Sequence, residues 1–308
     1  MGGRRYRAFG LELDSELVLP GLSAGDPARP SVSVRVVTRE ELDRDWSGKA
    51  GTPLWATRID GLPVAILRGC RGDHRIRFGS AAFQLSADGR TLSCDAADLD
   101  APTWQRFLLD TVLWCTSLLA GFEQLHASSV LIDGRVAAIL ARSGGGKTSI
   151  AAELVRRGYP LFSDDVVALG STAGRPLAHA GPRLMNLPED GLDPSVLGRP
   201  LARIGGEAWI EVRRGIVEPA PLSALFLCGA REGAARSEPL SPSPLRLLTH
   251  ALALPCDGER RRSRFELLAD VAASTPLFAL AGGGGPKALA DEVEVAVAAH
   301  APALEAAL

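Results

Sequence analysis

The run Ser143-Gly144-Gly145-Gly146-Lys147-Thr148 sets small residues ahead of a lysine and a hydroxyl. Small residues let backbone N–H groups converge on phosphate oxygens. A helix opening directly afterwards adds its positive end. Lys147 would bridge the β- and γ-phosphates of a nucleotide, and Thr148 would ligate Mg²⁺. Residues 143–149, closing on Ser149, are therefore a candidate ATP site with Mg²⁺ as its cation. The usual spacing is G-x-x-x-x-G-K-[ST], and Ala141 stands where its first glycine would be. Alanine is the smallest substitute, and it fails there only if the backbone needs a positive φ.

Asp164 and Asp165 form the second candidate group. They stand in the apolar frame FSDDVVAL, seventeen positions after Lys147. Ionised side chains in such a frame are costly unless they pair or ligate a metal. On an extended segment two adjacent acids point to opposite sides. One can then hold Mg²⁺ while the other accepts the proton of an attacking hydroxyl. His126, in QLHASSV, opens the run that leads to the loop. Arg142 and the run Arg260-Arg261-Arg262 could steady transferring charge, although a charge run is more often a solvated face. His74, His179, His250 and His300 have no such company.

These groups need a strand, a tight loop and a helix to hold them. HASSVLID and RVAAILA read as strands around an Asp133-Gly134 turn, and SIAAELVRRG reads as a helix ended by Gly158. YPLFSDDVVALG reads as one strand carrying both acids. Strand, glycine loop, helix, strand is the setting a phosphate loop requires. Before it, residues 101–122 predict a helix with Pro102 in its first turn. Residues 1–100 predict short strands broken by turns, with Asp88-Gly89 as a hairpin signal. After 170 the chain is rich in Gly and Pro to about 205. Beyond that, WIEVRR, LSALFLC and PLFALAG predict strands. PLRLLTHALAL, SRFELLADVAAST and PKALADEVEVAVAAH predict helices. The predicted organisation is a β-rich domain at 1–100, a connecting helix at 101–122 and a nucleotide-binding catalytic domain at 123–308.

The stretch LHASSVLIDGRVAAILARSGGGKTSIAAELVRRGYPLFSDDVVAL resembles the catalytic core of the HPr serine kinase/phosphorylase family. The likeness rests on His126, the Ser143–Thr148 loop, Arg157-Gly158 and Asp164-Asp165, in that order. WIEVRRGIV, 209–217, resembles the same family's E-[IV]-R-G signature with one arginine added. The resemblance implies an α/β fold with a phosphate-loop kinase core of the HPr kinase/phosphoenolpyruvate carboxykinase type. It implies ATP- and Mg²⁺-dependent transfer of the γ-phosphoryl group to a serine-type hydroxyl. It places His126 near the phosphates, Asp164 as base, and Asp165 with Thr148 on Mg²⁺. It carries Glu211 over as a further metal ligand and Arg213 as a catalytic residue. The strand-rich first hundred residues do not look like that family's regulatory domain. In this the chain resembles divergent members that modify peptide natural products, including the lasso-peptide tailoring kinases. A peptide or small protein with an acceptor serine is the implied partner, and assembly into a homo-oligomer is compatible with the likeness. A nucleotide-binding module that recognises a peptide or carrier without transfer is the alternative, as is a small-molecule hydroxyl kinase.

Composition narrows the classes further. The 308 residues carry 34 basic and 36 acidic side chains, which argues against a nucleic-acid binder working through a broad basic field. A hydrophobic share of 46% suffices for a packed core. The five cysteines include no C-x-x-C pair, and a reducing compartment suits them. No apolar run follows the basic MGGRRYRAFG, so no signal peptide is expected. Arg106 and Asp110 interrupt the longest apolar stretch, so no membrane span is expected and a cytoplasmic protein is. No LSGGQ-like segment points to a transport ATPase.

Overall fold

The computed structural model describes residues 3–46, 51–59, 61–189, 191–216, 218–230, 232–254 and 258–305, and the elements and counts below refer to these. Cys256 and Val217 lie outside them. The chain is a mixed α/β protein that divides into two compact units. One is Met1–Phe122 with Ala253–Pro255, and the other is Glu123–Leu252 with Cys256–Leu308.

The first unit is built on nine strands. They are β1 (Arg4–Ala8), β2 (Leu11–Ser15), β3 (Ser23–Ala24), β4 (Val32–Val37), β5 (Thr52–Ile59), β6 (Leu62–Arg68), β7 (His74–Phe78), β8 (Ala81–Leu85) and β9 (Thr91–Asp95). Their order in the sheet is β3-β1-β2-β4-β9-β8-β7-β6-β5. YRAFGLELD makes two strands rather than one. Phe9 and Gly10 both take positive φ, 52° and 80°, as a two-residue hairpin turn requires. Helix α1 (Arg39–Asp45) starts on a capping box of Thr38 and Glu41. The predicted 101–122 helix is α2 (Pro102–Phe107), a π-helical turn over Leu108–Val112, and α3 (Leu113–Leu119), all within this unit. Its Phe107 stacks on Phe78 with ring centroids 4.1 Å apart, and Trp104 packs on Phe83.

The second unit holds three sheets. β10 (Glu123–Leu125), β11 (Ala127–Ile132) and β12 (Arg135–Leu140) lead to the glycine loop, and α4 (Lys147–Arg156) follows it. The chain continues through β13 (Leu161–Ser163), β14 (Val167–Thr172), β15 (Arg175–His179), β16 (Leu184–Pro188), α5 (Pro194–Leu197), β17 (Gly198–Ile204) and β18 (Glu207–Val212). It ends with β19 (Leu222–Cys228), β20 (Arg236–Leu240), α6 (Pro244–Leu248), β21 (Ala251–Leu252), α7 (Gly258–Ser274), β22 (Leu277–Ala281) and α8 (Gly285–Glu305). The sheet orders are β13-β11-β12-β19-β22-β20, β15-β14-β10-β21 and β16-β18-β17.

β12 shows why the loop is held firmly. Ala137 and Ile139 face one apolar cluster, with Ile150 and Leu154 of α4 and Val293 of α8. Val136, Ala138 and Leu140 face the other, with Leu268 and Val271 of α7. A strand buried on both faces reads as a continuous apolar run, as RVAAIL does. The far end of α4 is fixed as well. Tyr159 N–H bonds Leu154 O and Gly158 N–H bonds Val155 O, with Gly158 at φ 107°. This is the 6→1 and 5→2 pattern that ends helices on glycine. Arg157 pairs with Glu153 of α4 and ties that helix to α8 through Asp291, Glu294 at 2.5 Å and the Lys287 carbonyl.

Two expectations need correction. YPLFSDDVVALG is two strands in two sheets, because the chain turns at the acids and crosses between the sheets. PLRLLTHALAL is a one-turn helix followed by β21, since His250 O and Leu125 draw the segment into pairing with β10. The Gly/Pro-rich stretch from 170 to 205 carries β15, β16, α5 and β17.

Candidate active site

The loop leaves β12 at Ala141, which is 2% exposed. Gly145 N–H bonds Arg142 O at 2.8 Å, closing a turn whose third residue, Gly144, has φ 72°. A positive φ at that position is what glycine supplies. Gly146, at φ 82°, is the N-cap of α4, and no side chain caps the helix start. The first N–H groups of a helix then remain available to an acceptor such as phosphate. A Cβ on Gly145 would lie 2.6 Å from Ala141 Cβ and 2.8 Å from Arg142 O. Ala141 is thus accommodated because its methyl group faces a glycine, and its own φ is not positive.

At the start of α4, Lys147 is buried and its Nζ pairs with Asp165 Oδ1 at 2.8 Å. Thr148 Oγ1 donates to Asp164 Oδ1 at 2.9 Å. The same carboxylate oxygen accepts from Ser128 Oγ at 2.5 Å, and Oδ2 accepts from the Asn186 N–H at 3.1 Å. Burial pushes the Asp164 carboxyl above its ordinary range, and the Asp165 charge adds to that. The Ser128, Lys147 and Asn186 contacts oppose it.

Asp165 has φ 65°, and Val166 N–H bonds Asp164 O at 2.8 Å across it. A positive-φ γ-turn of this kind is rare and strained. It replaces the extended segment expected from sequence, and it directs the two carboxylates to different partners. Thr148 was expected to share a cation with Asp165. Its hydroxyl instead bonds Asp164, while Asp165 turns to Lys147 and His126.

His126 Nδ1 lies 3.0 Å from Asp165 O and 3.6 Å from Asp165 Oδ1. A carbonyl only accepts, so Nδ1 carries the proton and Nε2 of the neutral ring is the acceptor. Burial lowers the His126 pKa below its ordinary value. Asp165 raises it and Lys147 lowers it further. His250, given no role from sequence, accepts the His126 N–H on its carbonyl at 2.8 Å. Burial lowers its pKa too, with His126 and Arg142 adding to the effect.

The structure therefore brings together His126, Ser143 to Ser149, Asp164 and Asp165. It does not join Glu211 or Arg213 to them. Glu211 accepts from Arg183 at 3.2 Å and Arg199 at 2.6 Å, and Arg213 donates to Ser195 O at 3.0 Å. Among the described residues neither bonds to the loop. The arginine run is divided as well: Arg260 pairs with Glu123 beside Arg264, whereas Arg261 and Arg262 are exposed. Ser128 and the Asn186 N–H were missed from sequence. For Ser128 there was a signal, a serine inside the apolar run ASSVLI, because a buried hydroxyl needs a partner.

The donor set suits Mg²⁺. Thr148 and Asp164 offer hard oxygen donors beside a run of glycines, and no cluster of three or more His, Cys, Asp or Glu side chains able to hold a metal occurs among the described residues. Mg²⁺ is commonly held by one or two carboxylates together with substrate phosphates. No helix is long and apolar enough to cross a membrane among the described residues.

No protein-family model matches the sequence, and no curated protein matches it. Among solved structures, the chain is similar to the Hpr(Ser) kinase/phosphatase from Coxiella burnetii. The TM-score is 0.35 and the identity 12%, over 59% of this chain and 93% of that one.

Proposed function

We propose that this chain is a cytoplasmic, Mg²⁺-dependent kinase that transfers the γ-phosphoryl group of ATP to a serine-type hydroxyl of a peptide or small protein. The observation that carries this reading is the division of the two acids at the glycine loop. Thr148 bonds Asp164, and Lys147 with His126 adjoins Asp165.

The N–H groups of the loop and of the first turn of α4 bind the phosphates, and the helix start adds favourable charge. Lys147 neutralises the γ-phosphate from a rigid helix position. Thr148 and Asp164 would hold Mg²⁺, which when bound offsets phosphate charge. This exchanges the roles that the family resemblance implies for the two acids. Asp165, with its half-exposed carboxylate, takes the proton of the acceptor hydroxyl. The acceptor oxygen forms its bond to the γ-phosphorus as the bond to the β–γ bridging oxygen breaks, and ADP leaves. His126 fixes the Asp165 backbone through Nδ1–H and presents Nε2 as an acceptor. The strain at Asp165, about 1–3 kcal/mol, is of the size that surrounding structure sustains at functional positions. Neither Glu211 nor Arg213 is needed for these steps.

The test is incubation of serine-containing peptides with ATP and Mg²⁺, read by mass spectrometry as a gain of one phosphate. Transfer to at least one peptide class, absent with EDTA, is expected. Nucleotide binding with no phosphorylated product from any hydroxyl acceptor would favour a recognition module instead.

A further inference from the structure

Buried serines in this unit ordinarily spend their single proton on backbone. Ser129 Oγ donates to Ser163 O at 3.3 Å, and Ser223 Oγ to Val136 O at 3.1 Å. Ser128 differs. It is 0% exposed, and its hydroxyl donates to the Asp164 carboxylate at 2.5 Å. That is the length of a charge-assisted O–H···O⁻ bond, about twice as strong as a neutral one. Ser128 Oγ also lies 3.4 Å from Thr148 Oγ1, so three oxygens from β11, α4 and the β13–β14 turn converge.

We propose that Ser128 is a positioning residue for the cation site, setting the orientation in which Asp164 and Thr148 meet Mg²⁺. This rests on the nucleotide and Mg²⁺ reading above. Asp164 Oδ2 is held by the Asn186 N–H, and Oδ1 by Ser128 from the strand side and Thr148 from the helix side. Asp164 sits in a turn outside the regular strands, so its own backbone fixes the carboxylate plane poorly. Ser128 belongs to β11, which is paired on both sides with β12 and β13, and supplies a rigid reference. With Ser128 removed, Thr148 is the one hydroxyl left on Oδ1, and its hydrogen bond must then orient both groups. Partners of metal ligands at this remove typically govern metal affinity or activity by about 10- to 100-fold.

The full-length chain tests this with Mn²⁺ and ADP as probes. Mn²⁺ binding is followed by its electron paramagnetic resonance signal, and ADP binding is measured with and without metal. Ser128→Ala is expected to weaken Mn²⁺ binding in the presence of ADP by roughly tenfold or more. Its ADP affinity without metal should stay unchanged, and the loss in turnover should fall on kcat rather than on the KM for the acceptor. Ser223→Ala also removes a buried hydroxyl and should bind Mn²⁺ as the wild type does. Should Ser128→Ala fail to fold, Ser128→Cys keeps the shape with a weaker donor and is expected to lose Mn²⁺ affinity in the same direction. Wild-type Mn²⁺ affinity in a folded Ser128 variant, or an equal loss in Ser223→Ala, overturns the proposal. A wild-type chain that binds no Mn²⁺ with ADP overturns the underlying nucleotide reading and this proposal with it.

Discussion

Asp164 and Asp165 are adjacent, yet their surroundings separate them. Asp164 accepts two hydroxyls and a backbone N–H, while Asp165 pairs with a buried lysine. The proposed roles give the two amide variants different signatures. Asp165→Asn should lower kcat by about 10²–10⁴-fold with the Mg²⁺ requirement intact. Asp164→Asn should raise the Mg²⁺ concentration needed for half-maximal rate by roughly tenfold or more. Steady-state rates across a Mg²⁺ titration check both, and interchanged results would restore the opposite assignment. That both acids find partners was legible in the sequence, since two carboxylates in an apolar frame demand them. Their division of labour was not, because it depends on one residue taking φ 65° where period-2 alternation was expected. Ser128 escaped notice for a related reason: one serine in an apolar strand signals a hydrogen bond but not its partner.

At the level of elements, the loop and the helix after it are the parts most firmly specified. Gly145→Ala would press a methyl group against Ala141 and Arg142 O. Overpacking of this kind costs about 1–3 kcal/mol, which should appear as a loss of stability of that size in denaturant unfolding. Ala141→Gly, which restores the usual loop pattern, should keep affinity within about threefold and lower stability by about 1 kcal/mol. Arg157 pairs with Glu153 of α4 and joins α4 to α8 through two carboxylates and a carbonyl, and Arg157→Ala should cost about 2 kcal/mol in denaturant unfolding. The strand–loop–helix order was readable because RVAAIL, three glycines and the Arg157-Gly158 stop each signal locally. The acid-bearing segment and PLRLLTHALAL were misread because long-range pairing, with β10 for the latter, decides their form. Local pattern carries no trace of such partners. The sequence also pointed to Glu211 and Arg213, whose observed partners are Arg183, Arg199 and the Ser195 carbonyl.

For the whole molecule, three histidines shape the response to acid. Burial holds His74, His126 and His250 below their ordinary value of 6.5. Above 6.5 each is neutral in both the folded and unfolded chain. As pH falls from 6.5 toward the lowered folded values, the unfolded chain takes up protons first, so stability is lost. The raised Asp164 carboxyl acts with the opposite sign: as pH falls toward its ordinary 3.8, the folded chain takes up that proton first and gains stability. Melting temperature should therefore drop as pH falls below 6.5, and His74→Gln should reduce that drop. A melting temperature that stays level or rises across that range would contradict it.

The most direct test of the central claim follows the γ-phosphate itself. Wild-type chain and Lys147→Ala are incubated with γ-³²P-labelled ATP, Mg²⁺ and a serine peptide mixture, and label on peptide is counted. Lys147 is the buried cation between the loop and Asp165. Its removal should reduce transfer by about 10²–10³-fold or more while the chain stays folded. Label reaching peptide equally well without Lys147 would contradict a kinase built on this loop.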